Sequence, residues 1–151
     1  MSVSDKDVRQ AIYERLNGDT NVTGKLANTN QGGINHAVAP SNRDYPLVIF
    51  HKQSGTPTNL VGFGERWRDS TEENQLWLVK AIAKGNAGSA EAAAHAIANR
   101  LDGGGVSGGT LPGSGGTLLH MARESDVSYA EVQSGETYFH HGALYRVIVT
   151  P

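Results

Sequence analysis

The chain contains no cysteine among its 151 residues. Disulfide bonds, thiolate metal sites and a cysteine nucleophile are therefore excluded. No apolar run approaches the roughly 20 residues that a membrane-spanning helix requires. The first residues carry no apolar core of the kind found in a secretory signal, so we expect neither export nor membrane association.

The net charge of the chain is also small. The 13 basic and 15 acidic residues give a formal net charge of -2. A chain this close to neutrality has no broad positive surface for a phosphate backbone, so nucleic-acid binding is not predicted. The length suits one domain with a single core, and we predict that residues 1–151 form that domain.

The motifs of common active sites are missing or out of context. A G-x-G-x-x-G match at 103–108 follows a predicted helix, whereas the dinucleotide motif requires a strand before it and a helix after it. A G-x-S-x-G match at 105–109 lies in a glycine-rich stretch, whereas a serine nucleophile requires a sharp strand-to-helix turn. The six histidines lack the paired spacing of metal sites, and His140 and His141, adjacent in a predicted strand, should point to opposite faces. We therefore predict no enzyme, no cofactor and no metal site.

Two segments show the periodicity of amphipathic helices. The first ends at Asn17-Gly18, and the second begins at Ser89 as N-cap and ends at Asp102-Gly103. Their apolar stripes consist of Val8, Ala11, Ile12 and Leu16 in the first helix and of Ala90, Ala93, Ala94, Ile97 and Leu101 in the second.

Strand patterns account for most of the remainder. Leu47–Phe50 is a compact apolar run typical of a central strand, and Gln75–Lys84 is a second strand. Thr117–Val149 alternates apolar and polar residues around a polar turn at Gln133–Glu136, which predicts an antiparallel hairpin.

The remaining segments are predicted as connections. The stretch from Asn28 to Asp44 is polar and predicts a loop, and Ser54–Asn59 has turn chemistry around Pro57. Leu60–Asn74 is predicted to be a long connection or a protruding hairpin. Residues 103–116 are rich in glycine and predict a flexible loop.

The predicted order is helix, strand, strand, helix, strand, strand. This order indicates the α+β class: a mixed, mainly antiparallel four- to five-stranded sheet with two helices packed on one face. The other face would be partly free to meet a partner.

Arg66, Trp67 and Arg68 form the most unusual surface candidate. Tryptophan and arginine are enriched among the residues that anchor interfaces. We therefore predict these three residues as interface candidates. The alternative is that Trp67 folds back onto the core while the arginines face water.

The order of segments, with their lengths, resembles that of tail completion or tail terminator proteins of long-tailed, siphovirus-like bacteriophages. The resemblance spans nearly the whole chain. It is carried by the opening helix from Val8 to Leu16 with Asn17-Gly18-Asp19, the approach Asp44–Phe50, the strand 74–83, the helix Ala90–Leu101, and the closing segments Thr137–His141 and Tyr145–Val149.

The resemblance implies a structural role in the virion at the tail–neck junction. Such proteins form a ring, commonly a hexamer, at the head-proximal end of the tail tube. The ring terminates tube polymerisation and joins the tail to the head–neck proteins. It implies the major tail tube protein and head-completion or neck proteins as partners, with DNA passing through the lumen without specific binding.

Two alternatives remain open. One is a different neck component, such as a head-completion or stopper protein, which would bind the portal side. The other is an enzyme or ligand-binding domain unrelated to phages. That alternative requires a deep polar cleft that holds His51, His120 or His140 near a carboxylate, and we predict no such cleft.

Overall fold

The computed structural model describes residues 5–27, 33–39, 43–59, 70–102, 111 and 116–150; the side chains of 56–59 and 70–71 are not included. This part of the chain has the predicted α+β fold, with three helices and one mixed sheet of five strands. In chain order the elements are α1 Asp5–Asn17, α2 Thr20–Thr23, β1 Gly33–His36, β2 Leu47–Asn59, β3 Ser70–Lys84, α3 Ala87–Leu101, β4 Thr117–Gln133 and β5 Glu136–Thr150.

The strands lie in the order β1-β2-β3-β5-β4. The β1–β2 pair is parallel, and the other three pairs are antiparallel. The prediction of a mixed, mainly antiparallel sheet is therefore confirmed. Among the described strands, β1 and β4 are the two edges.

The register separates the sheet into two faces. Phe50 aligns with Val79 and Val79 with Ala143, so these side chains share one face. We call this the helix face, because its buried residues form one hydrophobic cluster with those of α1 and α3. The other side of the sheet is called the second face. It carries Leu47 and Ile82, which are buried, beside the half-buried Ile49.

Both long helices follow their predicted stripes. Val8, Ile12 and Leu16 of α1 are buried, and so are Ala93, Ile97 and Leu101 of α3. Small side chains on α3 let that helix approach β3 and β5 closely. It begins at Ala87 rather than after Ser89, because Asn86 acts as N-cap and its side chain accepts a hydrogen bond from the backbone N–H of Gly88.

The C-terminal hairpin matches its prediction. β4 and β5 pair from Thr117↔Thr150 to Gln133↔Glu136 around a two-residue loop. Ser134 and Gly135 have φ of 51° and 80°. Positive φ at both positions is what a tight two-residue loop needs to match the twist of its strands.

Two sequence predictions on the first half of the sheet are wrong. Gly33–His36 forms strand β1 within the predicted loop, and β2 continues through the predicted turn as far as Asn59. For the segment Leu60–Asn74, the described part from Ser70 to Asn74 pairs antiparallel with the end of β2, as in the protruding hairpin that was one of its two predicted alternatives. Pairing across the two strands overrides local turn chemistry. β1 accompanies β2 only as far as Phe50, so among the described strands Pro57 has a neighbour on one side only, where it pairs with Glu73 of β3.

Gly142 marks a close approach of β5 to β3. A Cβ at this position would lie 2.5 Å from Lys80 Cα and would also collide with the carbonyl oxygen of Val79. No side chain fits there without displacing backbone. None of the helices in the described ranges has the length and apolar character needed to cross a membrane.

Candidate interaction surfaces

The predicted interface residues Arg66, Trp67 and Arg68 lie outside the described residues, between the end of β2 and the start of β3. Their role remains a prediction. The surface features of the described residues include a cleft on the second face, a cleft beside α3, and a groove between α1 and β1.

On the second face, His140 is only 4% exposed. Its Nε2 lies 3.1 Å from Glu131 Oε1, and its ring stacks on Tyr129 with centroids 4.3 Å apart. Lys80 Nζ donates a 2.7 Å hydrogen bond to the Tyr129 hydroxyl and lies 5.2 Å from the ring centroid. These four residues, from β3, β4 and β5, form one connected polar cluster.

Burial lowers the pKa of His140, and the nearby Lys80 lowers it further, against the hydrogen bond to Glu131. The imidazole is therefore neutral near pH 7. Because the Glu131 carboxylate can only accept, Nε2 carries the proton and Nδ1 keeps a lone pair. Nδ1 is buried and has no hydrogen-bond partner among the described residues. The cluster thus places a neutral histidine in a site that disfavours its protonation.

This cluster borders a cleft of about 260 Å³ between the hairpin and the segments 37–39 and 43–45. Tyr45 and Tyr138 form part of its wall, with ring centroids 5.2 Å apart. The prediction that no cleft would hold a histidine beside a carboxylate is wrong for His140. His140 of β5 meets Glu131 and Tyr129 of β4 only through the register of the two strands. The sequence pattern did not predict that register.

The chemistry available in this cleft is limited. Its described lining contains no serine, threonine or cysteine hydroxyl or thiol that His140 could activate. The Lys80 amine is engaged by Tyr129. The arrangement is suited to holding the hairpin against the sheet, since it links β4, β5 and β3 by two hydrogen bonds, one stacked pair and one cation–π contact.

A second cleft of about 270 Å³ lies on the helix face between α3 and the hairpin. Ser128 Oγ is 3.1 Å from His141 Nδ1, and His141 Nε2 is 3.9 Å from Glu91 Oε1. His140 and His141 therefore point to opposite faces, as predicted. The sequence gave no signal for this trio, because Glu91 is on a different element, 50 positions away from His141.

The order serine, histidine, glutamate is that of a hydrolase triad, but the geometry differs. The 3.9 Å separation exceeds a hydrogen bond, so Glu91 does not fix the ring. Ser128 is exposed in the middle of a straight edge strand, whereas a serine nucleophile sits on a sharp strand-to-helix turn. The trio is a solvated polar contact between α3 and β4.

The third feature is a groove of about 430 Å³ between α1 and β1. Its floor includes Phe50, against which the His36 ring packs at 5.5 Å. Burial lowers the pKa of His36, and the charge of Arg9 lowers it further. Tyr13 and Val38 border the groove and are 37% and 78% exposed. The groove is therefore apolar in part and carries one permanent cation.

The predicted absence of a metal site can be compared with the described residues only. Within them, no three histidine, aspartate or glutamate side chains are placed to hold an ion together. The histidines are dispersed: His36 is in the groove, His95 is exposed on α3, and His120 is exposed on β4.

Comparison with known proteins gives a similarity of fold to solved structures. No protein-family model matches the chain, and no curated protein matches it. Its fold is similar to that of a chain in a solved structure described as the virion of a native gene transfer agent particle. The TM-score is 0.61, the sequence identity is 14%, and the alignment covers 95% of each chain. This similarity establishes the shared fold over nearly the whole chain.

Proposed function

We propose that this chain is a structural component of a phage-like virion that forms a ring at the head-proximal end of the tail tube. The ring terminates tube polymerisation and joins the tail to the head–neck. The observation that carries the proposal is the fold similarity, over 95% of both chains, to a chain of a gene transfer agent virion. The resemblance of the element order to tail terminator proteins supports the finer role.

The described surfaces support a role in assembly contacts as opposed to catalysis. The histidine–carboxylate cleft has no serine, threonine or cysteine among its described lining residues, and the serine–histidine–glutamate trio is too loosely arranged to activate its serine. A formal net charge of -2 suits a channel through which DNA slides without being held. A closed ring requires two different patches on each subunit, one for each neighbour.

The alternative is another head–tail neck component, such as a head-completion or stopper protein. Pull-down of the purified chain with the tail tube protein and with the portal ring of the same particle separates the two roles. The proposal predicts retention on tube ends. Binding to the portal ring alone would favour the alternative.

Ring formation has its own test. Negative-stain electron microscopy of the chain, alone and mixed with tail tubes, should show rings or capped tube ends. A chain that stays monomeric alone and also fails to bind tubes would contradict the proposal.

A further inference from the structure

We propose that neighbouring copies join head to tail, with the β4 edge of one copy docked into the α1–β1 groove of the next. This inference rests on the ring proposed above, because it names the two patches through which the ring would close. Its occupant is a second copy of this chain.

The first observation is where the exposed large apolar side chains lie. Within the described ranges there are five of them: Tyr13, Val38, Leu119, Tyr129 and Val132. Three are on β4, and the other two border the groove beside β1. They therefore mark the two opposite edges of the sheet, which is where a head-to-tail contact needs its two patches.

The second observation is that Val132 and the groove lie on the same face of the sheet, whereas Tyr129 stacks on His140 at the second face and Val38 also borders the second-face cleft. Val132 aligns with Thr137 of β5. Thr137 lies an even number of positions from Ala143, which is on the helix face, so Val132 also projects from the helix face. The groove is on that face too, since β1 places Ile34 beside Val48 and His36 beside Phe50. Rotation about a ring axis carries one copy onto the next without exchanging the two faces of the sheet. Val132 of one copy can therefore meet Val38 and Tyr13 of the next without turning the sheet over.

The third observation is charge. Residues 123–136 contain four carboxylates and one arginine, whereas the groove lining contains Arg9 and no carboxylate. Glu136, beside the hairpin loop, is exposed. Three of the four carboxylates are paired within the chain, Glu124 with Arg146, Asp126 with Arg123 and Glu131 with His140, so pairing β4 with the groove brings chiefly Glu136 toward Arg9. A symmetric β4-to-β4 dimer would instead place two acidic strands together, which is unfavourable. Charge therefore favours the head-to-tail contact over the symmetric one.

The edges themselves are available for such a contact. In the described part of the sheet, β4 pairs only with β5 and β1 only with β2. β4 is 17 residues long, and its two register irregularities fall before Ser125, so the segment toward Val132 is regular. A long, regular edge with unpaired backbone groups is a ready surface for another chain.

Because the chain has no cysteine, disulfide trapping gives a clean test. Val132→Cys and Val38→Cys are made as two separate full-length variants, purified, mixed and oxidised, with tail tubes present if the chain assembles only on them. We expect covalent dimers in the mixture and few in either variant alone. Replacing Val38→Cys by Ala92→Cys, an exposed position on α3, is the matched control and should give few dimers.

Assembly is measured separately with Val132→Asp and Val38→Asp. Both sites are highly exposed, so thermal unfolding should be unchanged while self-association weakens roughly tenfold or more. Ala92→Asp should leave both unchanged. If the unmodified chain forms rings but the mixed cysteine variants cross-link no better than the Ala92→Cys control, the proposed contact is wrong and the ring stands. If the unmodified chain never associates, even on tube ends, ring and contact are both wrong.

Discussion

The indole Nε1 of Trp77 donates a 2.8 Å hydrogen bond to the side-chain oxygen of Gln75, and both side chains are buried at the helix face of β3. The amide of Gln75 in turn donates to Glu73 at 3.0 Å and to Asp5 of α1 at 3.4 Å. The side chain of Gln75 thus accepts the hydrogen bond from the buried indole N–H of Trp77 and links it to Asp5 in the first turn of α1.

Replacing Gln75→Leu should therefore lower the free energy of unfolding by about 1–3 kcal/mol, because the buried indole N–H loses its acceptor. Gln53→Leu, at an exposed position of β2, is the matched control and should change stability little. Urea unfolding of both variants checks this. Equal effects at the two sites would show that the Gln75 hydrogen bonds contribute nothing specific.

Replacing Gly142→Ala should destabilise the chain by about 1–3 kcal/mol, because the new methyl group collides with the backbone of β3 and the sheet must separate locally. Gly88→Ala, in the first turn of α3, serves as control and should have a small effect, because its methyl group would approach only the Asn86 side chain, at 3.2 Å. Thermal unfolding of the pair measures the difference. A Gly142→Ala chain as stable as the parent would mean that β3 and β5 are not so close.

Stability should fall as the pH is lowered from 7.5 to 5.5. The pKa of His140 in the folded chain is below its ordinary value of 6.5, chiefly because of burial, with Lys80 and His141 acting in the same direction and Glu131 opposing them. Below pH 6.5 the unfolded chain therefore binds more protons than the folded chain, and unfolding becomes easier.

The variant His140→Gln isolates this effect. It should show a weaker loss of unfolding free energy over the same pH range, measured by urea unfolding. His36, whose pKa is also lowered by burial, retains part of the dependence. An unchanged pH slope in His140→Gln would contradict the assignment to His140.

Trp67 carries the prediction made from sequence alone. If Arg66, Trp67 and Arg68 are an interface, Trp67→Ala should weaken ring or tube contacts while leaving the thermal unfolding midpoint unchanged. Thermal unfolding and tube binding are measured on the same preparation. A lower midpoint with intact assembly would place Trp67 in the core instead.

The sequence predicted the elements whose signals are local. The stripe of α1, the stripe of α3 and the hairpin turn at Ser134 and Gly135 all follow from spacing and turn chemistry within a few residues. The α+β class followed from the order of these elements. Strand β1 was missed because Gly33–His36 gains its structure from pairing with β2 and has little pattern of its own.

The surfaces were harder to predict for the same reason. His140 meets Glu131 and Tyr129 only through the register of β4 on β5. Likewise, the groove combines Arg9 and Tyr13 of α1 with Val38 after β1, residues that no sequence spacing relates. Composition did indicate a chain of small net charge, with no broad positive surface for a phosphate backbone.

The most direct test of the central claim is the length of tail tubes assembled with and without this chain. Tube protein from the same particle is polymerised in vitro, and tube lengths are measured by electron microscopy. The account predicts that adding the chain caps one end of each tube and stops growth, giving shorter tubes. Tubes of the same length distribution, with no added density at either end, would contradict it.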